Sequence, residues 1–380
     1  MSACFEMADK RSWLVESRAR ATRARVPMSA GLELTRRCNL HCRHCYLGNQ
    51  TRMVDVQERD TESVIRSLDE WAEAGVLFLM ITGGDPMMRW DFSVIYRHAV
   101  EQGMLVTVFC NGTLVTEQMV NLFRELPPRK VEITLYGATA ETYETVTRIP
   151  GSHTLAWQGI RQLHDHGIRV ALKTILLTLN AHELEAMAAQ AEEMACEFRF
   201  DAGVFPRRPD TADSRAVSRG SHHGDEHDDP NPVDLRIPPA LAVANDLATA
   251  ERRKKWADSI RQARSQPETD RLYPCAAGGS FFHVDPYGNY SPCLMTAHYL
   301  YPARGRAFRD IWREDLAQIR NRKRTRAHTW LTGAIRGACA HCPGFNHLET
   351  GDEEIDSDYM KQTARLRYEA VRATTEGGDL

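Results

Sequence analysis

The sequence predicts an α/β fold: a parallel sheet whose strands alternate with helices, followed by a smaller C-terminal domain that carries cysteines. Three observations predict it. Short β-rich runs recur between about Gly31 and Asp201 at roughly thirty-residue intervals, the length of a strand–helix–strand unit. Apolar residues at helical spacing fill the gaps between them. Of ten cysteines in 380 residues, Cys38, Cys42 and Cys45 gather beside the first run and Cys275, Cys293, Cys339 and Cys342 in the last third, while Cys4, Cys110 and Cys196 stand alone.

The six runs are Leu32–Leu34, Val76–Ile81, Leu105–Phe109, Val131–Leu135, Val170–Leu176 and Phe198–Asp201. Val64, Leu68 and Trp71 mark a helix between the first two. Leu155, Ile160 and Leu163 mark a later one, and Leu184, Met187 and Met194 another. Repeated βα units of this kind build a parallel sheet with its chemistry at the C-terminal strand ends. After Phe205 the pattern lapses. Residues 206–239 hold six prolines and the polar run His222, His223, Asp225, Glu226, His227, Asp228 and Asp229, which reads as a flexible, solvated linker, with metal binding as the alternative. One helix is expected from Leu241 to Ala263, then the cysteine-bearing domain. The division is 1–29, an N-terminal extension; 30–205, the α/β core; 206–239, the linker; 240–380, a bridging helix and the C-terminal domain.

Lys plus Arg number 48 against 51 Asp plus Glu, a net charge of −3, so no basic excess marks a nucleic-acid binder. The longest apolar run, Val76–Ile81, falls far short of a membrane span. The basic start (Arg18, Arg20, Arg23, Arg25) lacks the apolar segment of a secretory signal. A cytoplasmic protein is expected, with no membrane or nucleic-acid partner and with its thiols reduced.

Clustered thiols in a reducing compartment read first as metal ligands. Cys38-Asn-Leu-His-Cys42-Arg-His-Cys45 is a C-x3-C-x2-C loop directly after the first strand. Three thiolates on one loop can hold three irons of a 4Fe–4S cluster and leave the fourth open; a three-cysteine zinc site is the alternative. Thr82-Gly83-Gly84-Asp85-Pro86 follows the second strand, Asn111-Gly112-Thr113 the third, and the fourth reads Val131-Glu-Ile-Thr134-Leu-Tyr136-Gly137.

These motifs together resemble the radical SAM superfamily, whose cysteine loop carries an aromatic residue before the last cysteine, here His44. The resemblance covers about residues 30–205 and implies a partial (β/α)6 TIM-like barrel. It implies that Cys38, Cys42 and Cys45 hold a 4Fe–4S cluster whose open iron binds S-adenosylmethionine, that reductive cleavage gives a 5′-deoxyadenosyl radical, and that this radical abstracts hydrogen from a substrate. It assigns Thr82, Gly83, Gly84 and Asp85 (where relatives usually have Glu) to the methionyl group, Asn111 to the same face, Thr134 to the ribose and Arg148 to a carboxylate. Arg148 otherwise reads as a surface arginine, and Asn180, at a further family position, as a helix N-cap. An electron donor such as flavodoxin or ferredoxin is implied.

Cys275, Gly288 and Cys293 form C-x12-G-x4-C, and Phe281–Val284 and Asn289–Ser291 flank a hairpin turn at Asp285-Pro-Tyr-Gly288. With Cys339-Ala-His-Cys342-Pro this resembles the SPASM or twitch extension of radical SAM enzymes. Four cysteines imply one auxiliary 4Fe–4S cluster; a zinc ribbon is the alternative. Met360-Lys361 stands where relatives often end with a cysteine. Cys110, at the end of the third strand, is expected to face the barrel lumen as a hydrogen-atom donor, or else to be a small core residue. Arg320, Arg322, Lys323, Arg324 and Arg326 read as a solvated helix end or a site for an acidic group. The expected function is oxidative crosslinking or epimerisation of a ribosomally made peptide, with chemistry on a small metabolite, or a cluster-bearing scaffold, as alternatives. The stretch ahead of the first strand is shorter than the leader-peptide-binding domain fused to some maturases, which points to a small substrate or to a separate recognition partner for a precursor peptide.

Overall fold

The computed structural model describes residues 7–48, 57–208, 231–265, 267–326, 335, 337–338 and 342–374. After helix α1 (Met7–Ala24), six strands run in chain order: β1 (Ser29–Glu33), β2 (Phe78–Thr82), β3 (Leu105–Cys110), β4 (Lys130–Thr134), β5 (Val170–Ile175) and β6 (Glu197–Asp201). Helices α2 (Thr61–Ala74), α3 (Phe92–Glu101), α4 (Glu117–Glu125), α5 (Ala140–Thr147), α6 (Ser152–Asp165) and α7 (Leu184–Glu193) connect them. All six strands pair in parallel in sequence order. The sheet does not close, and β6 is its free edge.

Local chemistry sets the helix boundaries. Asp60 caps α2 by accepting from the Ser63 amide, and Gly75 ends it in the left-handed conformation. Thr116 and Thr139 cap α4 and α5 in the same way. Val64, Leu68 and Trp71 are buried as their spacing requires. Leu155 is not: it is 46% exposed, and Ala156, Ile160 and Leu163 form the buried stripe of α6.

The C-terminal hairpin joins the sheet. Strands β7 (Phe281–Val284), β8 (Asn289–Ser291) and β9 (Tyr301–Pro302) continue it, with β7 parallel to β1 from Ser29↔Phe281 to Leu32↔Val284. The far edge of β1, which would otherwise present unpaired amides, is thereby covered. The core is continuous across this seam. Trp71 of α2 lies edge-on to Phe282, Tyr290 and Phe308, and its indole N–H donates to the Tyr290 hydroxyl at 3.0 Å. Gly31 is required here, because a Cβ would stand 2.9 Å from His283 Nδ1. The expected division between core and C-terminal domain therefore runs through one packed body.

Two further expectations change. Within 206–239, the described stretch after Asn231 is not a loose linker: Leu235 and Ile237 are buried and Arg236 bridges to Leu177, because a prolyl 3-10 turn (Pro232–Leu235) seats them against the ends of β5 and β6. The acidic histidine run lies outside the described residues. The long helix after Pro238 is two, Pro239–Asp246 and Ala250–Ser265. Among the described residues no helix is long and apolar enough to cross a membrane.

Candidate radical SAM site

The cysteine loop leaves the C-terminal end of β1 and is fastened on three sides. His41 and Arg43 amides donate to the Thr147 and Val146 carbonyls at the end of α5, each at 3.0 Å. Cys38 Sγ accepts from the Leu40 amide at 3.4 Å and from Asn111 Nδ2 at 3.7 Å. Asn39 bonds to Thr113 and to Asn111 at 2.7 and 2.9 Å. At the loop's entry the Thr35 hydroxyl and the Arg36 amide both donate to Glu58.

Gly83 and Gly84 act through space. A Cβ on Gly83 would lie 2.4 Å from the Thr35 carbonyl oxygen, and one on Gly84 would lie 2.3 Å from that of Arg37. The close approach allows the Gly84 and Asp85 amides to donate to those carbonyls at 2.8 and 2.9 Å. The glycine turn is thus pressed onto the lead-in to the cysteines. Thr82 offers its carbonyl to the Leu34 amide.

Asp85, assigned by resemblance to the cofactor, is fully buried and turned inward. One carboxylate oxygen accepts from Met87 N at 3.0 Å and the other from Asn111 N at 2.8 Å. Burial outweighs those bonds and raises its pKa to about 6. An aspartate is one methylene shorter than a glutamate, and here it bonds one amide of its own turn and one at the end of β3, so it braces strand ends. Asn111 does likewise, linking β3 to Cys38.

The thiols are half-buried and close enough to influence one another. Burial, then the Asp85 carboxylate, pushes Cys38 up to about 12. Burial, then Cys45 and Cys38, raises Cys42 well above the ordinary thiol value, against the Tyr136 hydroxyl that bonds to it. His44 is held neutral by burial, its pKa near 4, with its ring 5.3 Å from that of Tyr136. No cation is among the influences on Cys38 or Cys42, and sulfurs that repel one another in this way fit a group that itself brings positive charge. Among the described residues no three His, Cys, Asp or Glu side chains converge as ligands of a single metal ion. A cluster does not need that, since each thiolate binds a different iron.

Thr134 ends β4 beside Lys173 of β5. Arg148 is an exposed left-handed C-cap of α5, directly after the carbonyls that hold the cysteine loop. Asn180 is buried at the N-cap position of the short 3-10 helix Ala181–Glu183, but its side chain does not cap that helix: it accepts from Leu177 N and donates to the Tyr136 and Ile175 carbonyls, pinning the ends of β4 and β5. Cys110 contradicts the expectation of a luminal thiol. It pairs with Ile133, which pairs with Leu172, and all three are buried in the core beneath the helices. Strand alternation puts Phe109, not Cys110, on the opposite face.

In the C-terminal part, Cys275, Cys293 and Cys342 come together. Each of the other two raises Cys293, after burial as the main cause, to about 12. Cys339 lies outside the described residues. Cys342 precedes helix Pro343–Thr350, whose Gly344 abuts the Met295 carbonyl, where a Cβ would come within 2.8 Å. The basic stretch is spent internally. Arg320, nearly buried, donates to the Tyr273 and Cys275 carbonyls, Arg322 pairs with Glu353, and Lys323 pairs with Asp270. Glu353 was missed by sequence reading. It accepts from Tyr273, His298, Tyr299 and Arg322, tying together the segments around Cys275 and Cys293, while its carbonyl accepts from Asn346 of the helix after Cys342. No sequence motif announces such a knot.

Residues 32–191 match the Radical SAM superfamily. The chain carries a radical SAM domain. That family implies S-adenosylmethionine and a 4Fe–4S cluster, and the chain is a radical SAM enzyme. It is 25% identical over 340 residues to an AdoMet-dependent heme synthase of Methanosarcina barkeri, covering 88% of this chain and 96% of that protein. It is also 25% identical to the antilisterial bacteriocin subtilosin biosynthesis protein AlbA of Bacillus subtilis, covering 71% of this chain and 55% of that one. Several other curated relatives align over less than half their length. The fold resembles that of Streptococcus suis SuiB bound to its precursor peptide SuiA, with a TM-score of 0.64 at 14% identity, over 95% of this chain and 83% of that one.

Proposed function

We propose that this radical SAM enzyme carries out a net oxidation of a ribosomally synthesised peptide, forming a C–S or C–C crosslink. The observation that carries the reading is the cysteine loop at the C-terminal end of β1, its three thiols half-buried and its lead-in held against the Gly83–Gly84 turn. Cys38, Cys42 and Cys45 would hold the cluster; when bound, it supplies the electron that cleaves S-adenosylmethionine reductively. Thr82 and the glycine turn would face the methionyl group, Thr134 the ribose and Arg148 a carboxylate. Cys275, Cys293, Cys339 and Cys342 would hold an auxiliary cluster as electron acceptor. Its support is the mutual influence of the three described thiols and the relation to AlbA. Placement of Cys110 under the helices withdraws the thiol that epimerisation would use as donor. A flavodoxin or ferredoxin and a separate leader-recognition protein are the proposed partners.

A small-substrate reading is favoured by one observation: the alignment to the heme synthase runs over nearly that whole protein. Anaerobically reconstituted protein with reductant should turn S-adenosylmethionine into 5′-deoxyadenosine, measured by chromatography. Replacing Cys38, Cys42 and Cys45 together by Ala should abolish this; cleavage that persists would refute the assignment.

A further inference from the structure

The face of β4–β6 turned away from the helices carries a charge pattern that the cysteine chemistry does not use. Lys130 and Glu132 of β4, Lys173 of β5 and Arg199 of β6 lie there, on the side opposite the buried Val131, Ile133 and Leu172. Glu132 is nearly buried and both of its oxygens are taken: Lys130 Nζ stands at 2.7 Å from one and Arg199 donates to the other at 2.6 Å. Lys173 is left at 3.8 Å from Glu132, beyond hydrogen-bond distance. Its ammonium rests instead on the Phe109 ring, 3.6 Å from the centroid, a cation–π contact that holds the charge without using its donors. At the edge, Glu197 is occupied by Arg169 and, at 3.5 Å, by Lys130. Three cations therefore share one carboxylate, and Lys173, with only 20% of its side chain exposed, keeps three N–H donors for another acceptor. Burial, as the largest cause, lowers its pKa to about 8.

We infer that Lys173, with Arg199 beside it, is an anchor for a carboxylate of the substrate. Lys173 pairs in register with Thr134, so the anchor lies level with the strand end assigned above to the cofactor, and this inference rests on that reading for its place in the reaction. A desolvated ammonium opposite an already saturated Glu132 needs an anion of the substrate's own. An acidic peptide side chain and a porphyrin propionate both supply one.

The test is titration of the reconstituted enzyme with two probe pairs. One is a blocked pentaglycine peptide with a central glutamate, against its glutamine counterpart; the other is coproporphyrin III against its tetramethyl ester. At least one acid should bind ten-fold or more tightly than its neutral partner. Lys173→Gln should erase the difference, Lys173→Arg should restore most of it, and the exposed Arg199→Gln should weaken it a few-fold. Which acid binds tells the peptide from the porphyrin. Equal affinity for acid and neutral probe, no binding of either acid, or Lys173→Gln binding like the parent would each overturn the anchor. Deoxyadenosine formation by the parent enzyme is scored separately, so failure of the radical SAM reading is told apart from failure of this one.

Discussion

Gly83 and Gly84 show how a motif residue can work by absence. The carbonyls of Thr35 and Arg37 occupy the space a side chain would fill, so the sheet holds the cysteine loop against the turn after β2. Gly84→Ala forces two backbone segments apart. Overpacking of this sort costs about 1–3 kcal/mol, and the strain falls on the lead-in to Cys38. Reconstituted Gly84→Ala should therefore lose most of the iron of the barrel site while keeping its secondary structure, checked by iron assay and circular dichroism. Glu353 makes the opposite case, a side chain whose many partners move its pKa. Burial works to raise it, but His298, Tyr273 and Arg322 together lower it from 4.5 to about 2. A folded pKa below the unfolded one gives stability that is complete above about pH 4.5 and fades as pH falls towards 2. The shift corresponds to about 3 kcal/mol at most. Acid unfolding followed by tryptophan fluorescence should show this loss in the parent and a flatter profile in Glu353→Gln, which starts less stable at neutral pH.

At the scale of elements, the join between β1 and β7 decides how the molecule holds together. The aromatic contacts of Trp71 reach from α2 across β7 and β8 to Phe308, so a helix of the barrel packs on the C-terminal hairpin. Trp71→Ala removes the largest fully buried side chain and should cost about 3–5 kcal/mol. Because the core is shared, chemical denaturation of this variant should show barrel and hairpin losing structure in one transition. Two separate transitions would mean that the seam is only a contact between independent bodies. The strand-to-helix pattern was readable in the six runs because alternating burial repeats every two residues and helices every three to four. The placement of β7 was not, since nothing in Phe281–Val284 names the strand it will pair with.

For the whole molecule, two sites of thiols sit on one sheet, the first beyond the end of β1 and the second around the hairpin that covers its edge. If both hold cubane clusters, the reconstituted parent should contain about eight irons and eight sulfides per chain, and Cys342→Ala about four irons. Because metal binding is coupled to folding, Cys342→Ala should also make the C-terminal part more open to protease. Zinc in that part, or about twelve irons in the parent, would contradict the two-cluster arrangement.

The sequence by itself determined the order of strands and helices, the C-x3-C-x2-C loop at a strand end and the glycine turn beside it, because spacing along the chain is a local property and these motifs are local. Only the tertiary structure decided the rest. Strand parity under the helices removed Cys110 from the substrate side. The shorter side chain of Asp85 turned it into a brace. Arg320 and Arg322, a charged run in the sequence, became internal supports for Cys275 and Glu353. Lys173 became notable only once Phe109 and Glu132 stood beside it from neighbouring strands. Each of these depends on which atoms from distant positions crowd into one low-dielectric space, and that crowding is set by the packing of the whole sheet rather than by any stretch of it.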